Sequence, residues 1–230
     1  MRAILLSGGY GTRLRPLTLK VPKCLVPIKN KPLLGIWFER LVEAKIGPLL
    51  VNTHYLKDEV ENFIECNEFK GMVTLVHEEI LLGTAGTLIA NLDFYENQDG
   101  LLIHADNYCL ADFSAFQEAH LNRPPECLMT MMTFRTDSPT SCGIVELNEH
   151  GIVIDFHEKR QNPPGNLANG AIYILSAELL DILRTKLFFA KDFSTEIIPH
   201  LLGRIYSYEI NEILMDIGSI KSYNNANKLP

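Results

Sequence analysis

A glycine-rich, basic stretch near the start of the chain has the composition of a phosphate-binding loop. Residues 7–12 (Ser-Gly-Gly-Tyr-Gly-Thr) follow the apolar run 3–6 (Ala-Ile-Leu-Leu), which predicts a buried strand that ends in a sharp turn. Glycines at such a turn let backbone N–H groups approach a ligand closely. Arg13, Arg15 and Lys23 add fixed positive charge. Converging donors of this kind suit the oxygens of a polyphosphate.

Positive charge is concentrated at this end of an otherwise acidic protein. Seven of the 21 lysines and arginines precede the first acid, Glu39, although the 230-residue chain carries a formal net charge of -7. A local basic cluster in an acidic chain favours a small anion over a nucleic-acid partner. The alternative, a solvated basic face beside a structural glycine turn, stays open at this point.

Two other phosphate-binding patterns fit this stretch less well. The chain has no G-x-x-x-x-G-K-[ST] run, so a Walker-type P-loop is not expected. A G-x-G-x-x-G pattern begins at Gly9, but Leu14 occupies its last position. No acid stands about twenty residues further on, where a ribose contact would be expected. A dinucleotide-binding fold is therefore disfavoured.

Two aspartates are candidate functional residues because of their positions in the chain. Asp106 follows residues 101–105 (Leu-Leu-Ile-His-Ala) at the carboxyl end of a predicted strand, and Asp216 lies in the run 215–218 (Met-Asp-Ile-Gly). Taken alone, each aspartate is more often a cap or turn residue than a ligand. The residues alone therefore leave the role of both aspartates open.

The elements that must position these residues change character along the chain. Apolar runs alternate with helical spacing over the first half, which predicts a mostly parallel sheet covered by helices on both faces. Ligands of such sheets bind outside the carboxyl ends of the strands. The second half is richer in strands and includes a hairpin around residues 148–151 (Asn-Glu-His-Gly).

The run 8–18 (Gly-Gly-Tyr-Gly-Thr-Arg-Leu-Arg-Pro-Leu-Thr), with Pro22 and Lys23, resembles the signature of the sugar-1-phosphate nucleotidyltransferases, closest to the mannose-1-phosphate guanylyltransferases. The resemblance implies an α/β fold: a Rossmann-like mixed, mostly parallel sheet with helices on both faces, and a smaller β-rich sugar-binding part. It implies a single domain over residues 1–230, with a nucleotide-binding half at 1–110 and a sugar-binding half at 111–230.

The activity implied is transfer of a nucleotidyl group from a nucleoside triphosphate to a hexose or heptose 1-phosphate, with release of pyrophosphate. Such a reaction serves nucleotide-sugar and polysaccharide biosynthesis. GTP is favoured because a carboxylate at Glu78 can accept both the N1–H and N2–H₂ donors of guanine. The alternative for the base is that Glu78 is solvated and backbone groups read it. Alternatives for the function are a uridylyl- or thymidylyltransferase, and a non-catalytic regulator that binds nucleotide-sugars.

The resemblance also assigns residues to three roles, each by a match to the family pattern. The implied catalytic residues, of which the two aspartates also hold Mg²⁺, are Arg13, Lys23, Asp106 and Asp216. The implied nucleotide-binding residues are Leu6, Gly8, Gly9, Gly11, Thr12, Glu78, Gly83 and Thr84. The implied sugar-binding residues are Asn107, Gly143, Glu158, Lys159 and Asn169. Two departures lie around the sugar site: Arg160 replaces the usual Pro, and 169–171 (Asn-Gly-Ala) replaces Asn-Ala-Gly.

The amino-acid composition indicates the cellular compartment and the kinds of partner to expect. The five cysteines are odd in number and include no C-x-x-C, which favours a reducing compartment over a disulfide framework or a zinc site. The seven histidines show no metal-ligand or triad spacing. The first apolar run is too short for a signal-peptide core, and no run reaches membrane length. We therefore expect a cytoplasmic protein without a membrane or nucleic-acid partner; homo-oligomerisation is left open.

Overall fold

The computed structural model describes residues 1–229. Its strands, in chain order, are β1 (Arg2–Leu6), β2 (Pro27–Ile28), β3 (Lys31–Pro32), β4 (Leu49–Thr53), β5 (Val73–His77), β6 (Gly100–His104), β7 (Asn107–Cys109), β8 (Met129–Arg135), β9 (Gly143–Leu147), β10 (Val153–Glu158), β11 (Leu167–Leu175), β12 (Ile205–Ile210) and β13 (Leu214–Asp216). Its α-helices are α1 (Leu33–Glu43), α2 (Lys57–Glu65), α3 (Thr84–Ala90), α4 (Phe113–Leu121), α5 (Ala177–Thr185) and α6 (Ile220–Lys228).

The chain divides into two compact units. The first comprises Met1–Leu81, Ile103–Ala111 and residues 212–229, and the second comprises Leu82–Leu102 and Asp112–Asn211. The expected halves at 1–110 and 111–230 concern which ligand each part binds, and that assignment stays a prediction.

The first unit is built on parallel strands. Strand order is β6-β1-β4-β5, and β4 pairs in parallel with both β1 and β5. Parallel neighbours need crossover connections, which α1 and α2 provide. Helix α1 buries Trp37, Phe38 and Leu41 completely or nearly so, at the spacing of one helical face. Since β1, β4 and β5 run in the same direction, the residues that follow them, Ser7 among them, share one edge of the sheet.

The second unit is mainly antiparallel. Strand β11 pairs antiparallel with β8 and β9, β9 pairs antiparallel with β10, and β12 joins β8 in parallel. The expected hairpin connects β9 to β10. The Asn148 side chain accepts hydrogen bonds from the N–H groups of His150 and Ile152, and Gly151 adopts a left-handed φ of 73°.

A buried polar network ties three parts of the second unit together. His120 of α4 is fully buried, with Nδ1 2.8 Å from the Thr130 hydroxyl and Nε2 3.2 Å from Asp99. The other oxygen of Asp99 accepts the backbone N–H of Ala177 at the start of α5. A neutral ring that accepts from Thr130 and donates to Asp99 satisfies all of these groups.

The structure confirms the expected α/β fold with a β-rich second part. Strand β12 and the short pair β7–β13 were not expected from the sequence. Each of β7 and β13 has three residues, too few to show a period. All five cysteines are free thiols. Within residues 1–229, the helices are too short or too polar to cross a bilayer.

Candidate active site

The glycine-rich loop of the first unit is anchored to the neighbouring strand by one asparagine. The Ser7 N–H donates to Oδ1 of Asn52 (2.7 Å), and the Ser7 hydroxyl donates to the Asn52 carbonyl. The Asn52 amide in turn donates to the Glu78 carboxylate (3.1 Å). Asn52 therefore holds the loop that follows β1 against the residue that follows β5, a role that sequence reasoning missed.

Glu78, expected to read the base, is 5% exposed, and its backbone N–H donates to the carbonyl of Thr53 (2.8 Å). The Glu78 side chain is therefore buried rather than solvated, and reading of the base by backbone groups stays open as the alternative. Because its carboxylate is bonded to Asn52, a buried acceptor lies beside the glycine loop. Its part in reading guanine stays a prediction.

Two of the loop glycines are closely packed. Gly11 has a left-handed φ of 62°, and a Cβ built on it would lie 2.9 Å from Cγ2 of Thr18. The Thr18 hydroxyl donates to the Gly11 carbonyl (2.7 Å). At Gly8, a Cβ would lie 3.0 Å from the Asn52 amide nitrogen. At both glycines, the backbone of the loop therefore packs closely against a neighbouring side chain.

Gly9 is different, because its surroundings are open. Apart from its chain neighbours, no heavy atom of the described chain lies within 4 Å of a Cβ built there. Leu6, the residue that ends β1, uses its carbonyl to accept the N–H of Ala105 (3.0 Å). Thr12 begins the short 3₁₀ turn Thr12–Leu14. The loop therefore has a packed side at Gly8 and Gly11 and an open side at Gly9.

Three of the four expected catalytic residues form one charge cluster in the first unit. Lys23 Nζ lies 2.5 Å from Oδ2 of Asp106 and 3.3 Å from Oδ1 of Asp216. The Lys23 side chain is 10% exposed, whereas those of Asp106 and Asp216 are 38% and 55% exposed. A buried ammonium thus draws two accessible carboxylates towards one point.

The cluster also shifts proton affinities. Burial opposes the charge on Lys23, but the carboxylates of Asp106 and Asp216 outweigh it and raise the pKa of Lys23 above its ordinary value. Burial likewise opposes the charge on Asp106, and the Lys23 ammonium overcomes it and lowers the pKa of that carboxyl. Lys23 is therefore cationic, and Asp106 anionic, throughout the neutral range.

The short pair β7–β13 brings the two aspartates together. Asp216 pairs with Asn107 in antiparallel register, and the Ile217 N–H donates to the Asp106 carbonyl (3.0 Å). A Cβ on Gly218 would collide with the Asp216 carboxylate, so glycine is needed for that side chain to fold back. Two residues that are far apart in sequence become neighbours through three residue pairs.

Two side chains of helix α1 donate hydrogen bonds to the backbone of residues 107–111. The indole N–H of Trp37 donates to the carbonyl of Asn107 (2.9 Å). Arg40 donates to the carbonyls of Leu110 and Ala111 (2.8 and 2.7 Å). Asn107, expected to bind sugar, is itself only 5% exposed. The carbonyls that follow Asp106 are therefore fixed by side chains of a buried helix.

Arg13, the fourth expected catalytic residue, lies at the rim of the cluster. Its Nη2 is 4.0 Å from Oδ2 of Asp216, and its side chain is 74% exposed. An exposed ion pair at this distance contributes little to stability. The guanidinium is therefore free to turn towards an anionic ligand.

In the second unit, the structure places Gly143 opposite Glu158 in the β9–β10 register. A Cβ on Gly143 would meet the ring of Phe156 and lie 2.7 Å from Oε2 of Glu158, so glycine leaves room for that carboxylate. Lys159 Nζ lies 3.0 Å from Oε1 of Glu158, and Lys159 has a left-handed φ of 46°. Non-glycine residues with positive φ are uncommon and concentrate at functional sites.

Asn169 sits at an irregularity in β11. Its Nδ2 donates to the Tyr173 hydroxyl (2.7 Å), and its Oδ1 accepts the N–H of Ala171 (2.9 Å). The register with β8 shifts between Asn169 and Tyr173, and Ala171 has a left-handed φ of 53°. The substitution of Ala for the usual Gly at this position is thus visible as a strained backbone. Burial raises the pKa of the Tyr173 hydroxyl.

Gly83 and Thr84, also expected to bind nucleotide, are engaged within the second unit. A Cβ on Gly83, whose φ is 83°, would collide with the carbonyl oxygen of Lys191. The same carbonyl accepts the N–H of Ala85 (3.0 Å), and the Thr84 hydroxyl accepts the N–H of Phe193 (2.7 Å). These contacts give both residues a structural function, and their contact with a nucleotide stays a prediction.

One cluster was missed by the sequence analysis. Glu146, Asp155 and His157 offer ligand atoms that all lie within 4.8 Å of one another. The sequence shows only that Asp155 and His157 alternate on one predicted strand. That Glu146 faces Asp155 depends on the register of the hairpin. The sequence analysis assigned His157 no role, and the structure places its ring beside two carboxylates.

The nucleotidyl transferase family model matches residues 2–229, so the chain belongs to the nucleotidyl transferase family, as the resemblance implied. The fold is shared with HddC of Yersinia pseudotuberculosis (TM-score 0.82, 24% identity, 99% of this chain and 98% of that one). It is also shared with a Bacillus anthracis protein assigned provisionally as a glucose-1-phosphate thymidylyltransferase (TM-score 0.87, 22% identity, 99% and 94%).

Two curated relatives are similar in sequence over nearly the whole of this chain. The mannose-1-phosphate guanylyltransferase catalytic subunit beta of Drosophila melanogaster is 32% identical, over 96% of this chain and 60% of its own length. The Xenopus tropicalis protein of the same name is 34% identical, over 97% of this chain and 62% of its own length. The chain therefore spans about three fifths of the length of these relatives.

Proposed function

We propose that the chain transfers a nucleotidyl group from a nucleoside triphosphate, GTP in the first place, to a hexose or heptose 1-phosphate, with release of pyrophosphate. Membership of the nucleotidyl transferase family supports the reaction class. The names of the two curated relatives support guanine as the base and mannose 1-phosphate as the first sugar to test. The five free cysteines support a reducing compartment, and we place the reaction in the cytoplasm.

The observation that carries this proposal is the charge cluster beside the glycine loop. Lys23 bonds both Asp106 and Asp216, and the loop meets the same residue, since a Cβ on Gly11 would lie 3.2 Å from Cβ of Lys23. A protein that only binds nucleotide-sugars has no need of two carboxylates held together at a phosphate loop. The cluster therefore favours catalysis over a regulatory role.

The reaction needs no general base. The nucleophile is an oxygen of the sugar phosphate, a monoester whose second pKa is about 6, so it is already an anion at neutral pH. This oxygen attacks the α-phosphorus, and the bond from that phosphorus to the bridging oxygen of the β-phosphate breaks. Pyrophosphate leaves with the bonding electron pair. The demands on the protein are positioning and neutralisation of negative charge.

The chain's own cations and amides meet these demands at the triphosphate. The backbone N–H groups of residues 8–12 would bind phosphate oxygens. Lys23 is held at a fixed position by two carboxylates, and Arg13 is exposed and free to turn. Both would counter the charge that builds up on the departing pyrophosphate.

The residues present also fit a magnesium ion. Asp106 and Asp216 offer hard carboxylate oxygens, and the Lys23 ammonium between them demonstrates that the pair attracts a cation. Asp106 and Asp216 would hold the ion. When bound, it would supply Lewis-acid neutralisation of phosphate oxygens.

Base and sugar recognition fall to the remaining residues of the proposal. Buried Glu78 would accept hydrogen bonds from guanine. Glu158 would bind sugar hydroxyls, Lys159 the sugar phosphate, and Asn169 and Asn107 would complete the sugar contacts. The exposed ammonium of Lys159, whose side chain is 64% exposed, supports its part.

The test is pyrophosphate release measured across the four nucleoside triphosphates and dTTP, each with a panel of hexose and heptose 1-phosphates. We expect release with GTP and a hexose or heptose 1-phosphate and at least tenfold less with the other nucleotides. Turnover confined to UTP or dTTP would replace the guanylyltransferase with the alternative transferases. No turnover with any pair, together with binding of a nucleotide-sugar, would support a regulator instead.

A further inference from the structure

The β9–β10 hairpin carries three polar side chains that the proposed reaction does not use. Asp155 lies directly opposite Glu146 in the antiparallel register, and His157 is two residues further along the same strand. Side chains two residues apart on a strand share a face, and so do directly opposed pairs. The hairpin therefore presents Glu146, Asp155 and His157 together on one face.

The distances among these groups are close to those of ligands around one ion. Nε2 of His157 lies 2.6 Å from Oε1 of Glu146 and 3.6 Å from Oδ2 of Asp155. With metal–ligand bonds of about 2.0–2.2 Å, neighbouring ligand atoms of a tetrahedral site are roughly 3.3–3.6 Å apart. Side-chain shifts of less than about one ångström would bring the three atoms to those positions.

The histidine of this cluster is buried, and its two carboxylates are accessible to solvent. His157 is 7% exposed, and its polar contacts among the described residues are all made by Nε2, since Nδ1 has no partner there. The ring is thus held in place by packing, and its Nε2 faces the two carboxylates. The side chains of Glu146 and Asp155 are 46% and 53% exposed. An ion can enter from solvent, and water can complete its coordination.

We propose that Glu146, Asp155 and His157 form a second divalent-cation site, which selects a zinc-type transition metal over magnesium. One imidazole and two carboxylates are a donor set that suits zinc, with the fourth position left to water. Asp106 and Asp216 offer oxygen alone, the donor that magnesium prefers. The two clusters therefore differ in the ion that each would take.

A bound ion would tie β9 to β10 near the end where Gly143 pairs with Glu158. Because the ligands come together only in the folded hairpin, zinc would bind the native chain and raise its unfolding temperature. This readout does not depend on catalytic activity. It also separates a metal site from a simple ion pair between His157 and Glu146, which would gain nothing from zinc.

The experiment is calorimetric titration of the chelator-treated chain with ZnCl₂, repeated with MgCl₂. We expect one zinc site per chain that magnesium does not fill, and a Co²⁺ complex with visible d–d absorption. His157→Gln should weaken zinc binding by at least about tenfold. The matched control is His150→Gln, at the turn of the same hairpin, where an exposed histidine lies 3.6 Å from Glu149; it should bind zinc like the wild type.

Asp155→Asn provides a second variant at an exposed position that does not disturb the core, in case His157→Gln fails to fold. It should lose the zinc-induced rise in Tm. The proposal is overturned if the wild type binds no zinc, or if His157→Gln or Asp155→Asn binds it unchanged. Loss of zinc binding in an Asp106→Asn/Asp216→Asn double variant, with Asp155→Asn unaffected, would move the site to the first unit.

Discussion

Two groups of carboxylates, one in each unit, are held by different cationic or basic side chains. In the first unit, Asp106 and Asp216 come from distant parts of the chain and share the ammonium of Lys23. In the second unit, Glu146 and Asp155 come from one hairpin and face the imidazole of His157. A lysine in such surroundings keeps its proton, whereas an imidazole can give its lone pair to a metal near neutral pH.

The difference indicates how each cluster can be used. A permanently charged lysine between two carboxylates keeps the site organised before anionic substrates arrive, which is what charge neutralisation in phosphoryl transfer requires. In the second cluster, the imidazole of His157 can act as a metal ligand, and its two carboxylate partners lie on the same hairpin. The first cluster therefore suits chemistry, and the second suits binding and local stabilisation.

The largest expected effect is at the first cluster. Asp106→Asn removes the charge that Lys23 contacts most closely and should lower turnover about 100-fold or more, with the fold unchanged by circular dichroism. Glu149→Gln, an acid on the second unit's hairpin whose side chain is 86% exposed, is the control and should keep wild-type turnover. Equal turnover in both variants would break the comparison, because Asp106 would then be no more catalytic than a surface acid.

The glycine loop offers a matched pair of substitutions. Gly11→Ala forces a Cβ against Thr18 at positive φ and should cost about 1–3 kcal/mol of unfolding free energy. Gly9→Ala, where the Cβ meets open space, should leave stability unchanged and raise KM for the nucleotide instead. Urea unfolding and steady-state kinetics on both variants separate packing from binding. Equal destabilisation by the two changes would contradict the packed and open sides of the loop.

In the second unit, the pair His120 and Asp99 should make stability depend on pH. Burial lowers the pKa of His120, and the hydrogen bond from His120 lowers the pKa of Asp99, so both groups bind protons more weakly in the folded chain than in the unfolded one. Their contribution to stability is complete above about pH 6.5, the unfolded value for histidine. It falls as the pH drops, first through His120 and then, below about pH 4, through Asp99.

His120→Gln tests this acid response. It should cost about 1–3 kcal/mol at pH 7, because Thr130 and Asp99 lose a buried partner. It should also flatten the loss of stability between pH 6.5 and 5, measured by urea unfolding at several pH values. His150→Gln, an exposed histidine, serves as the control. A wild-type slope that survives in His120→Gln would assign the acid response to other groups.

The smallest expected effect is at the strained residue of β11. Ala171→Gly should stabilise the chain by about 0.5–1 kcal/mol, because glycine adopts the observed φ of 53° without the Cβ clash. Ala119→Gly in the last turn of α4 is the opposite control and should destabilise by a similar amount. Chemical denaturation measures both. The same sign for the two changes would show that Ala171 is not strained.

Much of the fold and of the first cluster could be predicted from the sequence. The apolar run before the glycines marks β1, and the loop signature led to the family and so to Asp106 and Asp216. Glu146 and His157 escaped because carboxylates and histidines on a polar hairpin face look like ordinary surface residues. Their proximity depends on strand register, which a single sequence defines weakly outside a buried face.

The contact between Asp106 and Asp216 also lay beyond local sequence reasoning. It depends on β7 and β13, which pair through three residues each. Such short strands carry no periodicity, and their pairing is imposed by the tertiary fold. The role of Asn52 was also not predictable, because its two side-chain hydrogen bonds go to Ser7 and Glu78, which are distant in sequence.

Helix α1 carries the only tryptophan of the 230-residue sequence, and the indole of Trp37 is bonded to the carbonyl of Asn107, the neighbour of Asp106. Indole emission depends on its hydrogen-bond partner and local field, and no second fluorophore of this kind obscures it. The protein thus has a built-in optical reporter one residue from the carboxylate on which the proposed reaction depends. Ligand binding near Asp106 can therefore be followed in unlabelled protein through the fluorescence of Trp37.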